Sequence, residues 1–565
     1  MNKKIFGIAA FIVAGLLGAC DDDFLTTAPK GVVGQQSLES KKGVDALLIG
    51  AYSLLDGVGS GNTAWHSAVT NWVYGGVASD DTYKGTDAGD QPEITFIETY
   101  NWLPSNNHFR GKWRNVYDGI ARSNDVLLVM ANAKDMTDAE KAQVTAEARF
   151  LRGHYHFEAK KMWNKVPYID EKTYDPMNPE GAKVANKEDI WPKIEADFKA
   201  AYDVLPVNQA QIGRATKYAA AAYLAKAYMF QGKYAEAKPL LDEIIASGRY
   251  KLEPTYYSNY NAATNNNAES IFEVQMSVND GSPGGVNGNN GNILNYPYTG
   301  PWNCCGFEQP SQNLVNAFKT EGGLPLLDTF NQTDVKNDEG LDATAPFTPY
   351  DGPLDPRLDH TVGRRGIPYL DFGIHTGKPW VRDQVYAGPY SPKKMIPMKG
   401  FYHATNRNNS NNYRMIRLAH VILWRAEVAV AEGDLEKARE LVNQVRSRAA
   451  NPDGFVKMSD GSPAANYVIN TYNTPFASKE EALKAVQFET RLEFGMEGHR
   501  FFDLVRWGIA DEVLNTYVAK EQQKRIYLKG ATFTKGKNDY FPIPQQEIIN
   551  STVAGENTLA QNPGY

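Results

Sequence analysis

The sequence predicts a mainly α fold in which paired helices frame one large insertion of irregular loops and short strands. Three observations carry that reading. Apolar residues recur at helical spacing in eight separate segments, most of them arranged as neighbouring pairs. Ala221-Tyr223-Leu224-Ala227-Tyr228, followed by Gly232-Lys233-Tyr234-Ala237, is a tetratricopeptide-like pattern: small residues let helices approach and the glycine turns the chain. Ala426, Ala429, Gly433 and Ala438 echo it, so the scaffold reads as a helical repeat. Between about Lys251 and Asn412, by contrast, the periodicity is lost and Gly, Asn, Pro and Tyr accumulate.

Taken in order, Lys3 and Lys4 open a short basic start, and Ile5 to Leu17 is an apolar run too short to span a bilayer permanently. Residues 1–19 therefore read as a signal peptide ending in Leu17-Gly18-Ala19-Cys20. Small residues before a cysteine suit lipoprotein processing, which makes Cys20 the expected lipidation site and the acyl anchor the expected membrane contact. Asp21 to Asp23 keep the following segment solvated, and 20–34 reads as a tether. Residues 35–565 are expected to form one domain, with a scaffold at about 35–250 and 413–510 around the 251–412 insertion.

Helices are expected at Leu38–Leu55, Trp113–Ala131, Asp138–Trp163 with Asp138 as cap, Lys187–Leu205, Lys217–Gln231 and Tyr234–Ala246. Beyond the insertion the pattern resumes at Tyr413–Glu432 and Leu435–Ala449. Within it, Ser270 to Val278 alternates like a strand, and Asn279 to Gly300 is a long Gly/Asn-rich loop of the kind that usually carries function. Tyr296, Tyr298 and Trp302 stand at the end of that loop, directly before Cys304-Cys305.

Composition narrows the function. A net charge of -7 with no basic block argues against nucleic acid as a partner. Aromatics make up 12% of the chain, with 31 Tyr and 10 Trp, residues that pair a flat apolar face with a polar tip and suit amphipathic ligands. Of the three cysteines, Cys304 and Cys305 have only each other once Cys20 is acylated; they can bond together, stay free, or pair between chains. A vicinal bond would offer a compact apolar platform.

Catalytic and metal motifs do not emerge. His154 and His156 are two apart and point to different sides of a helix, and no HExxH, P-loop or Gly-x-Ser-x-Gly is present. Glu493, Glu497 and Arg500 are expected on neighbouring helical turns as ion-paired scaffold, so no catalytic residue, metal or cofactor is assigned. Sugar rings pack their C–H faces on aromatics and need polar side chains for their hydroxyls. Tyr296, Tyr298, Trp302, Cys304 and Cys305 supply the faces; Arg364 and Arg365 supply donors, unless Asp355 or Asp359 engages them.

Several motifs are similar to a known family. They include Cys20 with Asp23-Phe24-Leu25; Trp113, Tyr117, Gly119-Ile120, Arg122 and Asn124; and Ala146 to Arg152 with Val166-Pro167. Further on come Gly213 to Lys217, Glu489 to Glu493, Glu497 to Leu504 with Arg506-Trp507-Gly508, Pro542-Ile543-Pro544, and Gln561 to Tyr565. Nearly end to end, the chain resembles the SusD/RagB family of surface nutrient-binding lipoproteins. The resemblance implies tetratricopeptide-like helices with a variable region forming a glycan site. It implies further ligand contacts after the first helix, where Trp65, Asp80, Asp81 and Trp102 lie. It also implies an outer-membrane, cell-surface location and a SusC-like TonB-dependent barrel that the lipoprotein caps during oligosaccharide import. A RagB-like peptide-binding lid and, further off, a surface glycan hydrolase are the alternative readings.

Overall fold

The computed structural model describes residues 38–59, 63–300 and 302–565. The signal peptide, Cys20 and the tether lie outside the described residues. No helix among the described residues is long and apolar enough to cross a membrane.

The structure is mainly helical. Nine helices form the scaffold: α1 (Lys41–Ser53), α2 (Asn107–Asn132), α3 (Asp138–Trp163), α4 (Trp191–Val204), α5 (Lys217–Met229), α6 (Tyr234–Ala246), α7 (Leu418–Glu432), α8 (Leu435–Ala449) and α9 (Lys479–Phe494). Each packs on the next, and α6 lies directly against α7, so the insertion loops out of a continuous stack. Helices before and after it share one apolar core that runs from Val44 to Leu559. The centre of the stack is α3, whose residues are buried almost all round from Phe150 to Trp163.

The expected boundary of α3 is met at both ends, but its cap is Thr137 and not Asp138. The Thr137 hydroxyl accepts the Glu140 N–H at 3.3 Å and the Glu140 carboxylate accepts the Thr137 N–H at 2.8 Å, a reciprocal capping box. Asp138 sits in the first turn, where its charge favours the helix dipole. Thr137→Ala is expected to cost about 1 kcal/mol of stability, read as a lower urea midpoint, and Asp138→Ala less.

Two of the antiparallel ribbons tie the insertion to the scaffold. Strand β1 (Thr82–Gly85) pairs with β3 (Phe307–Pro310), and β2 (Ser270–Val274) pairs with β4 (Tyr413–Arg417) in the register Ser270↔Arg417 and Val274↔Tyr413. The expected helix over Tyr413–Glu432 is therefore half right: its first five residues are a strand, and the helix begins at Leu418. All five strand residues are buried, so no polar/apolar alternation distinguishes them from a buried helical turn.

That ribbon carries Arg417 into a buried ionic network. Its guanidinium meets Glu269 at 2.7 Å, Glu493 at 2.5 Å, Glu497 at 3.1 Å and the Tyr260 hydroxyl at 2.9 Å. Glu493 also binds Arg357 and Arg448, and Glu497 takes Lys394 at 2.8 Å. The expected pairing of Arg500 with these acids does not form. The chain leaves α9 at Gly495 and starts a new short helix at Arg500, so the helical spacing that would align them is broken. Gly498 in that break has φ +71, and a Cβ there would lie 1.7 Å from the Thr70 carbonyl oxygen, so only glycine fits.

Burial alone would push the Glu497 carboxyl up, but Arg417 and Lys394 outweigh it and hold it at about 2. A depressed carboxylate contributes stability above its unfolded value, about 4.3, and loses it as pH falls toward the folded value. Unfolding midpoints are thus expected to be flat near neutrality and to fall progressively below about pH 4.3. A profile that stays flat down to pH 3 contradicts this account of the network.

Candidate functional site

The loop expected to carry the site folds around a self-packed aromatic cluster. Tyr296, Trp302, Tyr369 and Trp380 are buried, with Leu370, Phe372 and Tyr402 at the edge. Trp302 stands 5.3 Å from Tyr296, 5.7 Å from Tyr369 and 4.4 Å from Phe372 between ring centroids. The Tyr296 hydroxyl donates to the Arg407 carbonyl at 2.9 Å. Tyr296 and Trp302 are thus the floor of the site and not its surface, because neighbouring rings already cover their faces.

Above that floor a more open face is assembled. Tyr298 is half-buried, and Arg382, an exposed residue, places its guanidinium 5.2 Å from the Tyr298 ring centroid. Arg382 is held in turn by Asp87 and Asp90, each at 2.8 Å, and donates to the Thr86 hydroxyl at 3.0 Å. Cys304 and Cys305 are joined as a vicinal disulfide, are half-buried, and follow the exposed Asn303. The backbone locks this disulfide segment to β1. Thr86 donates its N–H to the Gly306 carbonyl, and Gly306 donates to the Tyr296 carbonyl at 2.8 Å. Gly85 has φ +87, and a Cβ on it would sit 2.3 Å from the Gly306 carbonyl oxygen, so the close approach requires glycine.

Of the residues expected to bind ligand, Tyr298, Cys304 and Cys305 meet on this face. Arg382, Asp87, Asp90 and Asn303 join them, with the buried Thr86 beneath Arg382, and were not expected. The only sequence cue to them is the Trp380-Val381-Arg382 step and the acids that follow Asp80-Asp81.

Of the other candidates, Asp80, Asp81, Trp102 and Arg365 are already engaged within the protein. Asp80 and Asp81 are 1% exposed and ion-paired: Arg500 meets Asp80 at 2.8 Å, and Arg491 meets Asp81 at 2.9 Å. Burial would raise Asp80, yet Arg491 and Arg500 hold it at about 2, while burial and the charge of Asp80 push Asp81 up. Trp102 is a core residue, 4.2 Å from Phe541 between ring centroids, with its indole N–H on the Ile97 carbonyl. Trp65 is half-buried against the main core, edge-on to His66. Arg365 is spent on the carbonyls of Asp342, Ala343 and Ala345, at 3.2, 2.7 and 2.7 Å, and Arg364 pairs with Asp359 as foreseen.

Elsewhere, His420, Glu497 and His499 approach closely enough to suggest a metal site. The proton positions argue otherwise. His420 Nδ1 accepts the Arg417 N–H at 3.2 Å, so its Nε2 carries the proton and donates to His499 Nε2 at 3.3 Å. Burial pushes both imidazoles down, and Arg417 and Lys394 already neutralise Glu497. The arrangement is a neutral imidazole pair beside a cationic wall, which disfavours a divalent cation.

Residues 268–565 match the family model described as the SusD family. The chain belongs to the SusD family. Residues 23–229 of this SusD-family protein match a second model, described as starch-binding associating with outer membrane. The chain is similar to SusD-like protein P2 of Formosa agariphila, 22% identical over the whole of both chains. It is 25% identical to the starch-binding protein SusD of Bacteroides thetaiotaomicron, covering 84% of this chain and 81% of that one. Among solved structures, a laminarin-binding SusD-like protein superposes with a TM-score of 0.67 at 25% identity, covering 93% of this chain and all of the other.

Proposed function

We propose that this SusD-family protein is a non-catalytic glycan-binding lipoprotein of the outer cell surface. It captures oligosaccharide on the Tyr298 face and caps a SusC-like TonB-dependent barrel for import. The observation that carries the reading is the joint exposure of Tyr298, the Cys304–Cys305 disulfide and the Arg382–Asp87–Asp90 group. An aromatic face and an apolar disulfide suit sugar C–H surfaces, and the adjoining charged pair with Asn303 suits hydroxyls. Relatives described as binding laminarin and starch support a glycan as the ligand class. Because Asp87 and Asp90 already offset the Arg382 charge, the face favours a neutral glycan over an anionic one.

The lipid on Cys20, with its acidic tether, would keep the protein beside its barrel while leaving it free to swing. Calorimetry of the form lacking residues before Phe24, against neutral glucans such as laminarin and starch, anionic polysaccharides and peptides, tests the binding reading. Saturable heat with a neutral glycan and no product release is expected. Binding of peptides alone would replace the glycan reading, and release of shortened sugar would make the protein a hydrolase. Co-purification of the lipidated protein with an outer-membrane barrel tests the partnership.

A further inference from the structure

A second polar site lies inside the helical stack, built mainly from α2, α3 and α5 and distinct from the Tyr298 face. Lys112, Lys161, Lys226, Glu158, His154 and Asn115 all line one cavity between these helices. Three lysines thus face a single glutamate, an excess of two positive charges within a buried wall. Glu158 is fully engaged: it takes Lys161 at 2.7 Å, Lys112 at 3.6 Å and the Asn71 amide at 3.2 Å. Asp503, the other acid near Lys226, is bound to Arg506 at 2.7 Å.

Lys226 is the remaining cation. Only 8% exposed, its ammonium faces the Phe157 and Tyr223 rings at 5.3 and 5.6 Å and meets no carboxylate or carbonyl among the described residues. Burial and the Lys161 charge push it down only to about 8, so it stays cationic at neutral pH. Two further buried groups lining the cavity have no partner, the Asn115 amide nitrogen and His154 Nδ1. With no acid paired to Lys226 among the described residues, an anion at this place would offset the excess positive charge of the lining.

We infer that this cavity binds a monovalent inorganic anion of halide size, held by the Lys226 ammonium with the Asn115 amide N–H and a His154 ring N–H. A phosphate or carboxylate fits less well, because the wall offers no arginine fork to grip paired oxygens. The bound ion would tie α2, α3 and α5 together at the centre of the scaffold.

Thermal unfolding in sodium bromide and in sodium gluconate at equal ionic strength tests the site. A saturable rise of several degrees in bromide is expected for the native chain, and Lys226→Met should abolish it. Crystals soaked in bromide should show an anomalous peak within bonding distance of Lys226 Nζ, a result independent of whether the variant folds. Equal melting in the two salts, a bromide response retained in Lys226→Met, or anomalous peaks confined to the outer surface would overturn the site.

Discussion

Arg417→Met is expected to lower the unfolding free energy by about 3–5 kcal/mol, the cost typical of breaking a buried ion pair from one side. The guanidinium is fully buried and is shared by Glu269, Glu493 and Glu497. Removing it leaves carboxylates in a place where water cannot replace the lost charge, so they must protonate or drag the structure open. Glu493 keeps Arg357 and Arg448, which caps the loss; among the described residues Glu497 keeps only Lys394 as an ion-pair partner. Against a total stability of about 5–15 kcal/mol, the change removes a large share. Urea titration followed by tryptophan fluorescence measures it. Adding Glu497→Gln should recover part of the loss, because the two residues share one interaction. A single variant within about 1 kcal/mol of the parent would mean that the remaining cations take over the whole network.

The second large effect separates the surface of the candidate site from its floor. Tyr298→Ala should weaken oligosaccharide binding at least tenfold, about 1.4 kcal/mol or more, while leaving the melting temperature nearly unchanged. Its ring is half-exposed and is backed by Arg382 rather than by core. Trp302→Ala should do the reverse first: it empties the centre of the aromatic cluster and costs about 3–5 kcal/mol of stability. Loss of binding in that variant should therefore track loss of folding. Calorimetry and thermal melts on the same two samples decide the matter. Unchanged affinity in Tyr298→Ala would place the ligand elsewhere on the protein.

The helical scaffold was readable from the chain because amphipathic spacing and small-residue helix contacts are local properties. Asp138–Trp163, Tyr234–Ala246 and Leu435–Ala449 end where their periodicity ends. Strand β4 was not readable, since a segment buried on every side shows no alternation. The family motifs around Glu493 and Glu497 were visible, but their partners were not. Arg417, Arg357 and Arg448 arrive from other elements, and the helix that would align Arg500 stops at Gly495.

The candidate site shows the same division more sharply. Asp80 and Asp81 look like ligand-binding acids in a turn, yet Arg500 and Arg491, 420 and 410 residues away, consume both. Arg382 is one arginine in an irregular stretch and carries no pattern of its own. It enters the candidate site because β1 and the 378–392 segment bring Thr86, Asp87 and Asp90 beside it. Local pattern alone carried the helical repeat, the family motifs and the aromatic loop before Cys304-Cys305. Those rest on local periodicity and on motifs contiguous in the chain. Which aromatics are buried and which are partly open, the bond between the cysteines, and the separation of Lys226 from any acid among the described residues follow from the three-dimensional arrangement. Burial and ion pairing are properties of what arrives from distant segments, and no local pattern records them.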